Sequence, residues 1–280
     1  MRMTASEFRR WDRKSVTLLG MSGVGKTYLS TCLRHEHWFH YSADYRIGTR
    51  YLNEPILDNI KRQAMQVPFL RELLRSDSIY ISNNITVDNL TAVLTFLGKL
   101  GMPDLGGLEL LEFKRRQKLY RDAEVAAMLD VPEFITKAHE IYGYRHFVND
   151  SAGSLCELDD PDVLDVLARD TLIVYIEATP EYGRELMRRA ELDPKPLYYR
   201  EPFLDAELAV FQRERGIARI QDIVPDEFVL WMFPRLFQAR IPRYEAIADA
   251  HGYTIGADVL GRVTSEEEFV ECIASVLDEA

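Results

Sequence analysis

A single glycine-rich octet constrains this chain more than any other feature of its sequence. Residues 20–27 read Gly-Met-Ser-Gly-Val-Gly-Lys-Thr and match the phosphate-binding pattern G-x-x-x-x-G-K-[ST] at every position. The flanking residues agree, because the apolar run 16–19 is typical of a buried strand and residues 27–34 are compatible with a helix. Strand, glycine loop and helix in this order predict backbone amides and a helix N-terminus that bind a phosphate group.

The residues of this loop have predicted roles in binding a nucleoside triphosphate. Lys26 reaches the β- and γ-phosphates in this motif, and the hydroxyl of Thr27 can ligate Mg²⁺. The glycines let the backbone pass close to the phosphates without a clash from a Cβ atom. ATP and Mg²⁺ are therefore the predicted ligands. The predicted nucleotide-binding residues are Gly20, Met21, Ser22, Gly23, Val24, Gly25, Lys26, Thr27 and Tyr28, together with Arg188 on a later helix.

The composition narrows the range of partners. The chain has 280 residues, of which 47% are hydrophobic, and its formal net charge is −11 at a sequence pI of about 5.1. A core of this size fits one large domain, or one domain with a long insertion. An acidic surface disfavours a long nucleic acid as a general partner, because binding a polyanion requires a basic surface. The predicted partners are a nucleotide and a small-molecule acceptor, and the sequence leaves the oligomeric state open.

Cysteine usage and hydropathy predict a cytoplasmic protein without a membrane partner. Cys32, Cys156 and Cys272 are far apart and form no CxxC pair, so we expect free thiols in a reducing compartment. Residues 1–15 are polar and basic without the apolar segment of a signal peptide, and no stretch reaches the apolar length of a membrane span.

Short apolar runs alternate with helical patterns, which predicts a mostly parallel sheet covered by helices on both faces. The strand-like segments are residues 16–19, 38–43, 145–149, 172–176 and 253–255. Near the C-terminus the pattern predicts two separate helices, at residues 226–239 and 244–250. Residues 50–142 have helical spacing and are too long for a structureless loop. We therefore predict a three-layer α/β/α P-loop NTPase fold with a core of residues 1–49 and 143–280 and a helical insertion of residues 50–142.

Further stretches resemble P-loop small-molecule kinases, and shikimate kinases in particular. In residues 41–47, Asp44 matches the second aspartate of that family's Asp-x-Asp motif on the second strand, and nucleoside monophosphate kinases carry a related motif nearby. Gly153 matches one glycine of the family's substrate loop. Lys195-Pro196-Leu197 resembles the family's Arg-Pro-Leu lid, and the stretch from Arg240 to Tyr244 resembles its Arg-x-Pro-x-Tyr segment.

This resemblance implies an ATP-dependent phosphotransferase. It implies that Asp44, Gly153 and Arg240 contact the acceptor and that Lys195 belongs to a lid over the transferred phosphoryl group. The resemblance covers about half of the chain, and residues 50–142 and 200–235 have no counterpart in it.

Charged residues near the predicted strand ends have roles that chemistry alone suggests. Asp44 can orient or deprotonate an acceptor hydroxyl, and Asp150 can hold Mg²⁺ through water. Each can instead cap the next turn, and Glu177 competes with Asp150 for the metal. Arg46 and Arg50 can clamp a phosphate or carboxylate of the acceptor, or form surface salt bridges. The predicted catalytic residues are Lys26, Asp44, Asp150 and Lys195, the metal ligands Thr27 and Asp150, and the acceptor ligands Asp44, Arg46, Arg50, Gly153 and Arg240.

Two other functional classes stay open beside an ATP-dependent phosphotransferase with a hydroxyl acceptor. The chain can be an ATPase whose hydrolysis switches a protein partner, with residues 50–142 as the interaction surface. The GTPase form of this hypothesis is disfavoured, because the guanine-reading motif Asn/Thr-Lys-x-Asp is absent from the sequence. The chain can also be a nucleotide-binding module without catalysis. The phosphotransferase alone requires a small second substrate.

Overall fold

The strands form one parallel sheet. The computed structural model describes residues 2–279. Within this range the strands are β1 (Ser15–Leu19), β2 (Trp38–Ser42), β3 (His146–Asp150), β4 (Leu172–Glu177) and β5 (Gly252–Gly256). They pair in the order β2–β3–β1–β4–β5, all parallel, and each lies where an apolar run predicted it. Strands β1 and β4 are buried along almost their whole length, which explains their nearly continuous apolar sequence.

Helices cover both faces of this sheet. From β1 the chain crosses through α2 (Lys26–Arg34) to β2 at one edge, and from β3 it crosses through α9 (Pro161–Asp170) to β4 on the other side of β1. Because such crossovers are right-handed, connections that run in opposite directions place their helices on opposite faces. The predicted three-layer α/β/α fold with a parallel sheet is confirmed.

The segment between β2 and β3 is helical, as its periodicity predicted. The elements before β3, besides α2, are α1 (Ala5–Arg10), α3 (Ala43–Arg46), a π-helical turn (Ile47–Tyr51), α4 (Asn53–Ala64), α5 (Pro68–Arg75), α6 (Thr91–Leu97), a 3₁₀ turn (Pro103–Leu105), α7 (Leu110–Leu129) and α8 (Val131–Glu140). Helix α8 packs directly on β2 and β3, so this segment also covers the sheet. The division into a core and an insertion of residues 50–142 stays a prediction.

The C-terminal half supplies the remaining cover. Its other elements are a 3₁₀ turn (Leu155–Glu157), α10 (Pro180–Leu192), α11 (Glu201–Arg215), a 3₁₀ turn (Ile220–Asp222), α12 (Pro225–His251), α13 (Ala257–Leu260) and α14 (Glu266–Glu279). Helices α12 and α14 pack against the edge strand β5, and α1 packs on α14. The N-terminal helix therefore packs against the C-terminal helix.

The prediction of two separate helices at residues 226–239 and 244–250 is wrong, because α12 is continuous through both. Pro234 and Pro242 lie inside it, although each lacks the amide hydrogen that a helical hydrogen bond requires. Buried contacts outweigh this loss. Tyr244 stacks on Tyr175 of β4 with ring centroids 5.2 Å apart.

The two stretches without a counterpart in the family resemblance share a second hydrophobic core. Phe113 of α7 contributes to it from one stretch, and Phe211 of α11 and Phe228 of α12 contribute from the other. The Phe211 and Phe228 rings meet edge to face at 5.1 Å. Residues 50–142 and 200–235 therefore fold against each other rather than as independent additions.

The cysteines are free thiols, as predicted, at positions 32, 156 and 272. Burial raises the pKa of the Cys156 thiol to about 12, which keeps it protonated and unreactive near neutral pH. Within residues 2–279, no helix combines the length and the apolar character that a membrane crossing requires.

Candidate active site

The glycine-rich loop has the backbone geometry that its motif predicted. Gly25, at the N-cap of α2, has φ of +101°, a left-handed conformation that other residues rarely adopt. A Cβ atom at Gly20 would lie 2.8 Å from the carbonyl oxygen of Ile176, so this position also requires glycine. Because Gly25 has no side chain to cap the helix, the first amides of α2 are available to an anion.

Lys26 lies buried at the centre of this loop. Its ammonium group donates hydrogen bonds to the carbonyl oxygens of Gly20, at 2.7 Å, and Met21, at 3.0 Å. Burial lowers the pKa of Lys26, and the carboxylates of Asp150 and Asp44 act in the opposite direction. The loop therefore brings together one ammonium group and two carboxylates.

Asp44 lies in the first turn of α3, two residues after Ser42, the last residue of β2. The hydroxyl of Ser42, rather than Asp44, caps this helix by accepting a hydrogen bond from the Tyr45 amide. The Asp44 carboxylate instead accepts a hydrogen bond from the hydroxyl of Tyr120 at 3.1 Å. Burial and then the neighbouring Asp150 raise the pKa of Asp44, which suits a group that accepts a proton.

Asp150 ends β3 and is almost completely buried. Its Oδ2 atom lies 3.3 Å from Nε2 of His40, whose side chain on β2 is only 1% exposed. No sequence pattern predicted this pair, since His40 lies near His35 and His37 at a spacing that is not typical of metal ligands. Asp150 thus has a histidine partner at the carboxyl edge of the sheet, where the phosphate loop begins.

A cavity of about 380 Å³ adjoins the phosphate loop at Ser22. It brings together four residues that the sequence predicted for the acceptor or for catalysis, which are Asp44, Gly153, Lys195 and Arg240. Asp44 is half-buried and lines this cavity. The cavity therefore joins the phosphate loop to the predicted acceptor residues, although the role of each residue stays a prediction.

Gly153 brings the loop after β3 against the phosphate loop. A Cβ atom at Gly153 would lie 2.6 Å from the Ser22 amide nitrogen, so any larger residue must displace one of the two loops. The carbonyl oxygen of Gly153 accepts hydrogen bonds from Arg240 Nη1 and from the Tyr244 hydroxyl, both at 2.7 Å. Helix α12 therefore holds this contact in place.

Arg240 lines the cavity, but its hydrogen bonds are made to the protein itself. Besides Gly153, it donates through Nη2 to the Tyr198 carbonyl oxygen at 2.9 Å, and its Nε lies 3.6 Å from a Glu157 carboxylate oxygen. Its side chain is only 4% exposed. These contacts link α12 to both loops that border the cavity.

The other predicted arginines do not line this cavity. Arg46 forms a 2.7 Å ion pair with Asp130 and lies over the Phe134 ring, and Arg50 is exposed on the π-helical turn. Arg188 is paired with Glu185 on the exposed side of α10. Helix α10 itself borders the phosphate loop through Leu186, which is the nearest side chain to the Gly23 position. Nucleotide binding by Arg188 and acceptor binding by Arg46 and Arg50 stay predictions.

Helix α7 contributes two residues that sequence reasoning missed. Tyr120 and Glu124 lie four positions apart, hence on one face, and both reach the cavity region. Ser154, beside Gly153, donates a 2.5 Å hydrogen bond to the fully buried Glu124. Their four-residue spacing was visible in the sequence, but only the fold shows that this face of α7 meets Asp44 and the loop after β3.

Glu124 is expected to make stability depend on pH. Burial raises the pKa of its carboxyl to about 8, so the folded protein holds a proton that the unfolded chain releases near pH 4.5. As the pH rises between these two values, deprotonation of this group should lower the free energy of unfolding by about 1.4 kcal/mol per pH unit. Glu124→Gln should lack this slope, as measured by urea unfolding across that range. Exposed Glu72→Gln is the control, and equal slopes in wild type and Glu124→Gln would show that Glu124 is ionised when folded.

The predicted metal ligands suit a hard cation. Thr27 offers a hydroxyl and Asp150 a carboxylate, and oxygen ligands of this kind are those that Mg²⁺ prefers. The carboxylates of Asp44 and Asp150 both act on the Lys26 ammonium, so negative charge is present where a cation would bind. The donor set fits Mg²⁺, although its assignment to these residues stays a prediction.

Comparison with known proteins adds little to these observations. No protein-family model and no curated protein matches the chain. Among solved structures, it is similar to a shikimate kinase from Bacteroides thetaiotaomicron, with a TM-score of 0.42 and 15% sequence identity over 95% of this chain and 97% of that one. So distant a similarity carries no argument about activity, which must be inferred from the site itself.

Proposed function

We propose that this protein is an Mg²⁺- and ATP-dependent phosphotransferase that acts on a hydroxyl group of a small molecule. The observation that carries the proposal is the cavity of about 380 Å³ that runs from Ser22 of the phosphate loop to Asp44 and Arg240. A phosphate site that opens onto a cavity with a candidate base has the parts that phosphoryl transfer to a second small molecule requires.

The nucleotide would lie on the phosphate loop. The amides at the start of α2 would bind its phosphate oxygens, and Lys26 would exchange its bonds with Gly20 and Met21 for bonds to the β- and γ-phosphates. Mg²⁺, held by Thr27 and through water by Asp150, would neutralise charge on the phosphates when bound.

Asp44 is the group best placed to handle the acceptor. The acceptor oxygen forms a bond to the γ-phosphorus while the bond from that phosphorus to the bridging oxygen breaks, and ADP leaves with the electron pair. The proton of the acceptor hydroxyl passes to Asp44, whose raised pKa favours its acceptance. Tyr120 holds the carboxylate in one orientation through its hydrogen bond.

The helical segment of residues 50–142 would serve as the acceptor cap. Residues between Val87 and Leu97 line the cavity, and Tyr120 of α7 lines it as well. In the outer part of the segment, α5 has no buried residue, which is compatible with movement of this region when the acceptor enters.

The test is ADP release from Mg·ATP with and without a panel of hydroxylated small molecules, with phosphorylated product identified by mass spectrometry. We expect one class of compounds to raise ADP release by about tenfold or more, because chemistry requires an acceptor in line with the γ-phosphate. Turnover that rises only on addition of a protein would favour the ATPase switch. ATP binding without turnover under any condition would favour a module that lacks catalysis.

A further inference from the structure

The acceptor cavity is largely apolar along one side. Val87, Leu90, Val93, Leu94 and Leu97 line it from the segment that contains α6, and Leu197 lines it from the loop before α11. Burial of apolar ligand surface is the main favourable term that such a wall can supply. A small polyol, which is hydrated on every side, would leave this wall without a partner.

Two tyrosine rings continue the apolar surface. Tyr120 and Tyr198 stack with their ring centroids 5.8 Å apart at an interplanar angle of 26°, and both line the cavity. The hydroxyl of Tyr120 points to Asp44, to which it donates. The cavity therefore combines polar groups beside Asp44 and the phosphate loop with an apolar and aromatic surface, which Asp88 and Thr91 interrupt.

The cations of this cavity are already paired. Arg240 donates to the carbonyl oxygens of Gly153 and Tyr198, and its charge is faced by Glu157. The Lys195 ammonium lies 3.4 Å from a carboxylate oxygen of Asp193, and its side chain is 61% exposed.

The charges of the lining residues also balance. Asp44 and Asp88 match the two cations among the residues that line the cavity, so the described wall has no positive excess. A carboxylate brought here would lose its hydration without gaining a dedicated partner.

From this division of the cavity we infer that the acceptor is an uncharged hydroxyl compound with an apolar or aromatic body, and that carboxylated polyols are excluded. The inference rests on the proposed function, because it takes this cavity as the acceptor site. The hydroxyl would face Asp44, and the apolar body would lie against the α6 wall and the two tyrosines.

Matched probes that differ in one charge test this inference. Binding of phenyl β-glucoside and of phenyl β-glucuronide is measured by calorimetry in the presence of Mg²⁺ and a non-hydrolysable ATP analogue. We expect the glucoside to bind about tenfold or more tightly than the glucuronide, because the latter buries an unpaired carboxylate. Equal or tighter binding of the glucuronide overturns the inference, and so does failure of both phenyl compounds to bind.

A charge placed on the apolar wall supplies a second test. Leu94 is half-buried, so Leu94→Lys can direct its ammonium group into the cavity without opening the core. We expect this variant to shift the preference by about tenfold toward the glucuronide. Leu111→Lys, at a side chain that is 84% exposed on α7, adds the same charge elsewhere and should leave the preference unchanged.

If Leu94→Lys leaves the preference unchanged, the α6 wall does not contact the acceptor and the inference fails. The calorimetry of the ATP analogue alone reports on the proposed function separately. If the ATP analogue does not bind the wild-type protein, the phosphotransferase proposal fails. If the analogue binds but the protein prefers the glucuronide, only the inference about the acceptor fails.

Discussion

Lys26→Met should weaken Mg·ATP binding on the order of 10- to 150-fold, because hydrogen bonds to a charged group contribute about 1.5–3 kcal/mol each. Turnover should fall further, by roughly 10²–10³, because the ammonium group also stabilises charge that develops on the transferred phosphoryl group. Methionine keeps the length of the buried aliphatic stem and removes only the donor. The variant should therefore fold, although the carbonyl groups of Gly20 and Met21 lose their shared partner.

Calorimetry with Mg·ATP measures this effect, and thermal unfolding checks that the variant is native. Lys118→Met is the matched control, since Lys118 is an exposed lysine of α7 that pairs with Asp122 on its own helix. Unchanged affinity in Lys26→Met would remove the phosphate loop from the function. Equal losses in the two variants would indicate a general effect of net charge.

Asp44→Asn should lower the turnover number by about 10²–10⁴ while it leaves ATP affinity nearly unchanged, as expected for loss of a general base. Asparagine keeps an oxygen that can accept the Tyr120 hydrogen bond, so the local geometry should survive. The wild-type rate should rise as pH passes through the pKa of Asp44, which burial and Asp150 raise above the usual aspartate range. The Asp44→Asn variant should lack this rise of the rate with pH.

Steady-state kinetics over a range of pH, with the best acceptor from the panel, measure both features. Asp122→Asn on the exposed face of α7 is the control for loss of one carboxylate. If Asp44→Asn retains full phosphotransfer, Asp44 is not the base. If the rate of Asp44→Asn still rises with pH in the same range, another group is responsible for that rise, and Glu124 becomes the first residue to test.

Local signals explain which parts of this molecule could be predicted. The phosphate loop could be predicted because it is a contiguous motif. Its backbone geometry requires glycines and a lysine at fixed spacings directly after a strand. The parallel strands carry apolar runs, and their carboxyl ends meet at one edge, so Asp150 could be placed near the loop from order alone. Asp44 was predicted both from its place at a strand end and from the family resemblance, whereas Gly153 was predicted from the resemblance alone.

The missed residues depend on packing between distant segments. Tyr120 and Glu124 lie on a helix whose partner surface no local pattern reveals, and His40 acquires its role only because β2 pairs with β3. Helix α12 was divided in two because a proline disfavours a helix locally, whereas the contacts of Arg240 and Tyr244 that keep it continuous are tertiary. Paired charges account for two of the arginines outside the cavity, since Arg46 pairs with Asp130, 84 residues along the chain, and Arg188 pairs with Glu185.

The carbonyl group of Gly153 has a consequence for how two ligands would affect each other. Helix α12 holds this carbonyl group, and the α-carbon of the same glycine lies against Ser22, so the phosphate loop and the floor of the cavity share one junction. A nucleotide that tightens this junction would pre-order the neighbouring cavity. By thermodynamic reciprocity, whatever fills the cavity should then raise nucleotide affinity by the same factor, and the two compounds should bind with positive cooperativity.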